Sequence, residues 1–521
     1  MPTRRTALQG ALALSATALT PAWGASPVAK TKHGRVRGAT NDNILVFKGV
    51  RYGADTGPTR FMPPQAPAPW RKTVDAVQYG AASPQTSNSE TASEDCLFLN
   101  VWTPGLRDGA RRPVMVYIHG GAYSSGSGSS PLFDGTRLCQ RGNVVVVTVN
   151  HRLGVLGYLH LARLGGEAFA DSGNAGMLDL VLALRWVRDN IEEFGGDTNN
   201  VMVFGQSGGG AKIATMMAMP AAQGLFHRAA TMSGQQLTAS GPLNATARAR
   251  VLLEAMKLPE SRLDEIRTAP VDAILTAARA TDPIIGRGSL YFGPVLDDRT
   301  LTRHPFYPDA PAQSASIPMI IGNTHDETRS LIGRGDATTF ALNWDQLPAR
   351  LLPEMRVDIS PDRVVAEYRR LYPTYSPSDV FFAATTASRS WRAAIVEAEL
   401  RAAQGSPVYA YQLDWGSPQD GGKWGAPHTL DIPLVFDNLD KPGSITGTGA
   451  SARAMAQQMS EAFIAFARTG NPNTKHAPNW VPYSLAQRET MVFNVPSQLV
   501  NDPRGAERKL FAHVPFIQQG T

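Results

Sequence analysis

The run Asn200-Val201-Met202-Val203-Phe204-Gly205-Gln206-Ser207-Gly208-Gly209-Gly210 constrains the fold more than any other stretch. Val201 to Phe204 are β-branched or apolar and read as a short buried strand. Lys212 to Met219 read as a helix that stops at Pro220. Only a sharp turn separates the two, and Ser207 stands at its centre. In such a turn, side chains two before and two after the serine would collide, so positions 205 and 209 must be glycine. The turn pushes the serine outward, beside a helix N-terminus that favours developing negative charge. With 48 glycines in 521 residues, about 0.3 Gly-x-Ser-x-Gly pentapeptides arise by chance. The strand before and the helix after therefore carry the inference of a nucleophile elbow over an ordinary glycine-rich turn.

The surrounding chain alternates in the same way. Val114 to Ile118, Val144 to Val149, Arg228 to Met232, Ile317 to Ile321 and Val408 to Leu413 read as buried strands, the last being the final clear one. Leu178 to Phe194 has helical periodicity and ends at Gly195-Gly196. Continuous apolar strands alternating with helices predict an α/β fold, with a mostly parallel central sheet covered on both faces. Ala245 to Arg279 and Trp344 to Arg401 read as helical insertions that cover the sheet edge where the elbow opens.

No linker or repeat divides the chain, so residues 26–521 are read as one catalytic domain. Residues 1–25 read as a cleaved export signal. Arg4-Arg5 precede a mildly apolar run, Ala7 to Ala22, and cleavage is placed near Gly24 or Ala25. Thr3-Arg4-Arg5-Thr6-Ala7-Leu8-Gln9 resembles a twin-arginine signal, with a general secretory signal as the alternative because Ala7 stands where phenylalanine is usual. The expected location is periplasmic or extracellular. No run is long enough to span a membrane. The net charge of +6 is scattered rather than clustered, which argues against a nucleic-acid partner. The two cysteines, Cys96 and Cys139, are read as buried thiols.

A serine hydroxyl needs a base, and the base needs an orienting acid. Elbow folds order them serine, acid, histidine. Of ten histidines, that order leaves His428, His476 and His513. His428 follows the strand ending near Leu413 and is preferred. The acid should follow a strand between serine and histidine, and Gly322-Asn323-Thr324-His325-Asp326-Glu327 does so. Chemistry alone leaves Asp326 and Glu327 both open, with Asp297-Asp298 weaker as a turn. His119-Gly120-Gly121-Ala122-Tyr123 follows a strand, and its small residues suit an oxyanion hole completed by the N–H of Gly208.

These residues resemble the type-B carboxylesterase family, the cholinesterase-like branch of the α/β-hydrolases. The resemblance runs from about Gly34 to the C-terminus. It is carried by Glu94-Asp95-Cys96-Leu97-Phe98-Leu99-Asn100-Val101-Trp102, Asn150-His151-Arg152-Leu153-Gly154, Asn174-Ala175-Gly176-Met177-Leu178-Asp179, Phe194-Gly195-Gly196-Asp197 and Phe466-Ala467-Arg468-Thr469-Gly470-Asn471-Pro472. It implies the α/β-hydrolase fold and a serine carboxylesterase acting on small-molecule esters through an acyl-enzyme. The implied roles are Ser207 as nucleophile, Glu327 rather than Asp326 as acid, His428 as base, and Gly121, Ala122 and Gly208 as oxyanion donors, with no cofactor or metal. Gln206, Asp431 and Ser233 are placed around the base, with Gln206 and Asp431 in one hydrogen-bonded network. A non-catalytic adhesion member of the fold and a lipase are the alternatives. Three features depart from the family: Gln206 replaces a usual glutamate, the usual disulfide partner of Cys96 is absent, and the loop Ala81 to Ser93 lacks the tryptophan of cholinesterases. Neutral or acidic esters are accordingly expected to be better substrates than choline esters.

Overall fold

Alternate side chains along the central strands enter two different cores. Val114, Val116, Ile118, Val201 and Val203 pack into one cluster, while Met115, Tyr117, Met202 and Phe204 pack into the other. A strand buried on both faces has no polar side to present, which is why these segments read as continuous apolar runs. The computed structural model describes residues 26–86 and 91–520. The export-signal assignment to residues 1–25 and part of the Ala81 to Ser93 loop lie outside the described residues.

The large sheet has eleven strands. In chain order they are β1 (Ala39–Asn41), β2 (Ile44–Arg51), β3 (Phe98–Thr103), β4 (Arg112–Ile118), β5 (Val145–Val149), β6 (Gly196–Gln206), β7 (Arg228–Met232), β8 (Met319–Thr324), β9 (Val408–Leu413), β10 (Glu489–Phe493) and β11 (Gln498–Asn501). Their spatial order is β11-β10-β9-β8-β7-β6-β4-β5-β3-β2-β1. The strands from β5 through β10 pair in parallel. Antiparallel pairs close both ends: β1 to β3 on one side and β11 on the other. The parallel centre agrees with the sequence reading. The edges do not: β1, β2 and β3 precede the strand taken as the first, and β10 and β11 follow the strand taken as the last. Strands β1 and β11 have no fully buried residue, so neither shows an apolar run. A separate three-stranded sheet near the N-terminus joins Val28–Lys30, Arg35–Arg37 and Val74–Asp75.

The helix Ala175–Asn190 packs under the sheet, and its buried Asp179 receives the Arg152 guanidinium at 2.6 Å. That pair anchors the loop after β5 to the helix. The two insertions are helical as expected: Pro242–Ala255 and Val271–Ala277 in the first, Pro361–Leu371, Pro377–Thr386 and Arg392–Ala403 in the second. The second insertion has its own apolar cluster, built on Leu347, Val364, Tyr368, Phe381, Phe382 and Trp391 and closed by Phe511. Among the described residues, no helix is long and apolar enough to cross a membrane.

Candidate active site

Strand β6 ends at Gln206 and a helix begins at Gly208, leaving Ser207 alone in the turn at φ 56° and ψ −127°. That backbone state is costly for a residue with a Cβ. It is held in place from both sides: Ser207 N–H donates to the Met232 carbonyl at 2.7 Å, and its own carbonyl accepts from Ala211 at 3.1 Å. The two glycines are required, though chiefly by the neighbouring strand. A Cβ on Gly209 would lie 1.9 Å from the Ile118 carbonyl oxygen at the end of β4. One on Gly205 would lie 2.7 Å from both that oxygen and the Gly209 backbone. The helix packs so close to β4 that a methyl group collides with main chain before it can meet another side chain.

Strand β8 ends at Thr324, and Glu327 opens the next short helix, completely buried. Its Oε2 receives a short hydrogen bond from His428 Nδ1. Its Oε1 accepts from the Thr324 N–H at 3.0 Å and the Asn323 amide at 3.3 Å. Burial pushes the carboxyl up, but His428, the Ser233 hydroxyl and the Thr324 N–H outweigh it and hold the group below its ordinary value. Asp326 points elsewhere. Its Oδ2 accepts from Ala426 N–H at 3.0 Å and its Oδ1 lies 3.2 Å from His325. Despite its burial, these neighbours bring it down to about 2. Of the two acids that chemistry left open, Glu327 touches His428 and Asp326 does not.

The weaker candidates go to other tasks. Asp297 Oδ1 accepts from the N–H groups of Arg299, Thr300 and Leu301, a turn acid as read. His476 pairs with Glu461 near the surface, and His513 is exposed.

Ser207 and His428 line one cavity of about 580 Å³, together with Gly121, Ala122, Gly208 and Gln206. Gly121 and Ala122 turn at φ 84° and φ 52°. A Cβ on Gly208 would sit 2.1 Å from the Ala122 carbonyl oxygen, so glycine is what lets the two segments meet. Among the described residues, the N–H groups of Gly121, Ala122 and Gly208 donate to no protein acceptor. Three such donors on one cavity wall form a seat for a negatively charged oxygen. Backbone strain gathers here: Ala122, Ser207, Ser233 and Thr429 all have positive φ.

The neighbourhood of the base differs from expectation in one respect. Gln206 contacts His428, as anticipated. Asp431 does not join it in a hydrogen bond. Its Oδ2 accepts from the Tyr411 hydroxyl at 2.8 Å and its Oδ1 has no partner. Burial and the charge of Glu327 raise Asp431 to about 7. With a neutral amide in place of a second carboxylate, Gln206 turns to the imidazole and Asp431 is left to the tyrosine. Ser233 sits beside Glu327, with its hydroxyl accepting from Thr324 N–H at 3.4 Å.

Sequence reasoning missed the second insertion's part in the cavity. Arg356, Arg389 and Ser390 line it, as do Phe516 and Gln519 near the C-terminus. An isolated arginine in an irregular or helical segment carries no local signal of what it faces.

Comparison with known proteins agrees with this architecture. The profile of the carboxylesterase family matches residues 25–511. The chain is 35% identical over 504 residues to a para-nitrobenzyl esterase of Bacillus subtilis, covering 93% of this chain and 98% of that protein. It is 32% identical over 515 residues to a phenmedipham hydrolase of Pseudarthrobacter oxydans, covering 92% and 96%. A crystal structure of a Geobacillus stearothermophilus carboxylesterase superposes with a TM-score of 0.83 at 37% identity, covering 93% of this chain and 99% of that one. The chain therefore belongs to the type-B carboxylesterase family of the α/β-hydrolase fold and is a carboxylic ester hydrolase.

Proposed function

We propose that ester hydrolysis proceeds through an acyl-enzyme on Ser207, with His428 as base, Glu327 as its orienting acid, and the N–H groups of Gly121, Ala122 and Gly208 as oxyanion donors. The observation that carries this reading is the hydrogen bond from His428 Nδ1 to buried Glu327 at the cavity that Ser207 lines. That bond fixes the tautomer and leaves Nε2 with a free lone pair. Ser207 Oγ attacks the ester carbonyl as its proton passes to His428 Nε2. The carbonyl oxygen becomes an oxyanion on the three N–H donors. Collapse expels the alkoxide, which takes the proton from His428 and leaves as the alcohol. Water then repeats the sequence on the acyl-enzyme, releasing the acid and restoring Ser207.

Substitution Ser207→Ala tests the reading. It removes the nucleophile and little volume, so ester turnover should fall by at least about 10³-fold with thermal stability retained. Retained turnover would reject the mechanism. A folded wild-type protein inert to every ester would point to a binding member of the fold.

We further propose that the protein is exported, on the basis of Arg4-Arg5 and the small residues before Gly24. N-terminal sequencing of the mature protein tests this, with a start near Gly24 or Ala25 expected. Cytoplasmic retention of the intact chain would reject it.

A further inference from the structure

The catalytic cavity is lined by two arginines, Arg356 and Arg389, and by no aspartate or glutamate among the described residues. Its other polar side chains are serine, glutamine, threonine and tyrosine, besides His428. Arg389 has its counter-charge, since Nη1 donates to Glu354 Oε2 at 2.9 Å. Arg356 does not. Its Nη2 donates to the neutral Gln519 Oε1 at 2.6 Å, and among the described residues it forms no ion pair. Ile517 N–H donates to the Arg356 carbonyl at 2.8 Å and fixes this backbone against the C-terminal segment.

An unpaired guanidinium withdrawn from water is unfavourable. Arg356 is half-buried, and that partial withdrawal, with Arg389 adding to it and Tyr291 and Glu354 opposing it, pushes the guanidinium down to about 9. Arg401, buried and also without an ion pair among the described residues, is held by the carbonyls of Ser314 at 3.0 Å and Ile317 and by Gln404 at 3.1 Å, whereas the Arg356 guanidinium has one side-chain partner, Gln519. Arg356 thus places on the wall of the cleft that holds the nucleophile a cation with no carboxylate in contact among the described residues, and a bound anion can supply one. A guanidinium fork matches a carboxylate, donating two parallel N–H bonds. The cavity of about 580 Å³ has room for such a group beyond the scissile ester.

We propose that Arg356 is an anion-recognition residue, and that the preferred substrates are esters bearing a carboxylate on the acyl or the alcohol side. This rests on the ester-hydrolase reading of the same cavity. It goes beyond tolerance of acidic esters by naming the group that selects them.

The test compares kcat/KM for matched pairs. On the acyl side the pair is 4-nitrophenyl hemiglutarate and its neutral isostere, 4-nitrophenyl 5-methylhexanoate. On the alcohol side it is 4-butyryloxybenzoate and 4-butyryloxybenzamide. The wild type should favour the anion by about tenfold or more in one pair, which identifies the side. Arg356→Gln should bring that ratio close to one, and Arg356→Lys should give an intermediate value. Ratios near one in both wild-type pairs, or a ratio that survives Arg356→Gln, would overturn the assignment. Should Arg356→Gln not fold, glutarate dianion is tested against neutral-ester hydrolysis by the wild type: competitive inhibition supports the site, and its absence overturns it. A wild type that hydrolyses all four esters without charge preference would reject Arg356 as the selector while leaving the esterase reading intact.

Discussion

Gln206 Nε2 lies 3.2 Å from Nε2 and 3.3 Å from Nδ1 of His428. An atom so nearly equidistant from both ring nitrogens cannot lie in the ring plane, where it would run into Cε1. The amide therefore covers the ring face and leaves the in-plane lone pair of Nε2 uncovered. Its N–H dipole also opposes positive charge on the ring. Asp431 does little to offset this, because burial and the Glu327 charge raise it to about 7 and leave it partly protonated near neutral pH.

Gln206→Glu should consequently stabilise the imidazolium. The acid limb of the kcat/KM profile should move up by about one pH unit, and activity near pH 6 should fall. Measuring that profile for both proteins with one neutral ester checks the coupling. An unchanged or lowered limb would refute it.

The adjacent acids Asp326 and Glu327 differ in what they touch, and their substitutions should part accordingly. Glu327→Gln removes the charge beside His428 and should lower kcat by about 10³- to 10⁴-fold with little change in KM. Asp326→Asn should act mainly on stability. It removes the carboxylate that ties His325, Arg329 and the Ala426 N–H together. A loss of about 1–3 kcal/mol follows, read as a lowered Tm with kcat largely retained. A catalytic collapse from Asp326→Asn alone would reverse the assignment.

How much of this was legible follows from where each residue sits. The parallel centre was readable because strands buried on both faces become apolar runs with no competing pattern, Val114 to Ile118 and Val201 to Phe204 among them. Ser207, Glu327 and His428 were readable because each follows a strand end in the chain order the chemistry demands. Choosing Glu327 over Asp326 needed the family resemblance, since both follow β8 and differ only in direction. The β1 and β11 edges were not readable, because half-exposed short strands look like loops. Arg356 and Arg389 were not readable as cavity residues either. What they face is decided by how the second insertion folds back over the sheet, a long-range fact that local pattern does not record.

Both cysteines are buried and unpaired, Cys139 with its thiol 3.4 Å from the Trp102 carbonyl oxygen. Burial pushes both thiols far above their ordinary range, so they are poor nucleophiles and slow to oxidise. Thiol titration should give close to zero for the native protein and two per chain after unfolding without reductant. Zero after unfolding would mean that the two had been bridged.

Lys212 lies in the elbow helix, completely buried, and no carboxylate pairs with it among the described residues. Its Nζ donates to the His119 carbonyl at 3.1 Å and faces the Tyr123 ring at 5.6 Å. His119 and His151 stack nearby, and both are held neutral by burial. Burial brings Lys212 from 10.5 down to about 7. The sign of the stability effect follows. Between about pH 7 and the ordinary lysine range the unfolded chain binds the extra proton, so stability rises with pH across that window. Below it both states are charged, and the native state bears the full cost of the buried ammonium. Lys212→Met should therefore raise stability by ~1–3 kcal/mol at pH 6, after allowing for the hydrogen bond lost at His119. The gain should shrink as pH rises toward 10. The same substitution releases the carbonyl that precedes Gly120-Gly121-Ala122, so kcat should fall about tenfold with KM little changed. Denaturant melts of both proteins across pH 6 to 10, with kcat and KM measured on the same samples, test both halves. A variant less stable than wild type at every pH would show that Lys212 is a satisfied structural group and not an uncompensated charge held beneath the Gly120-Gly121-Ala122 loop.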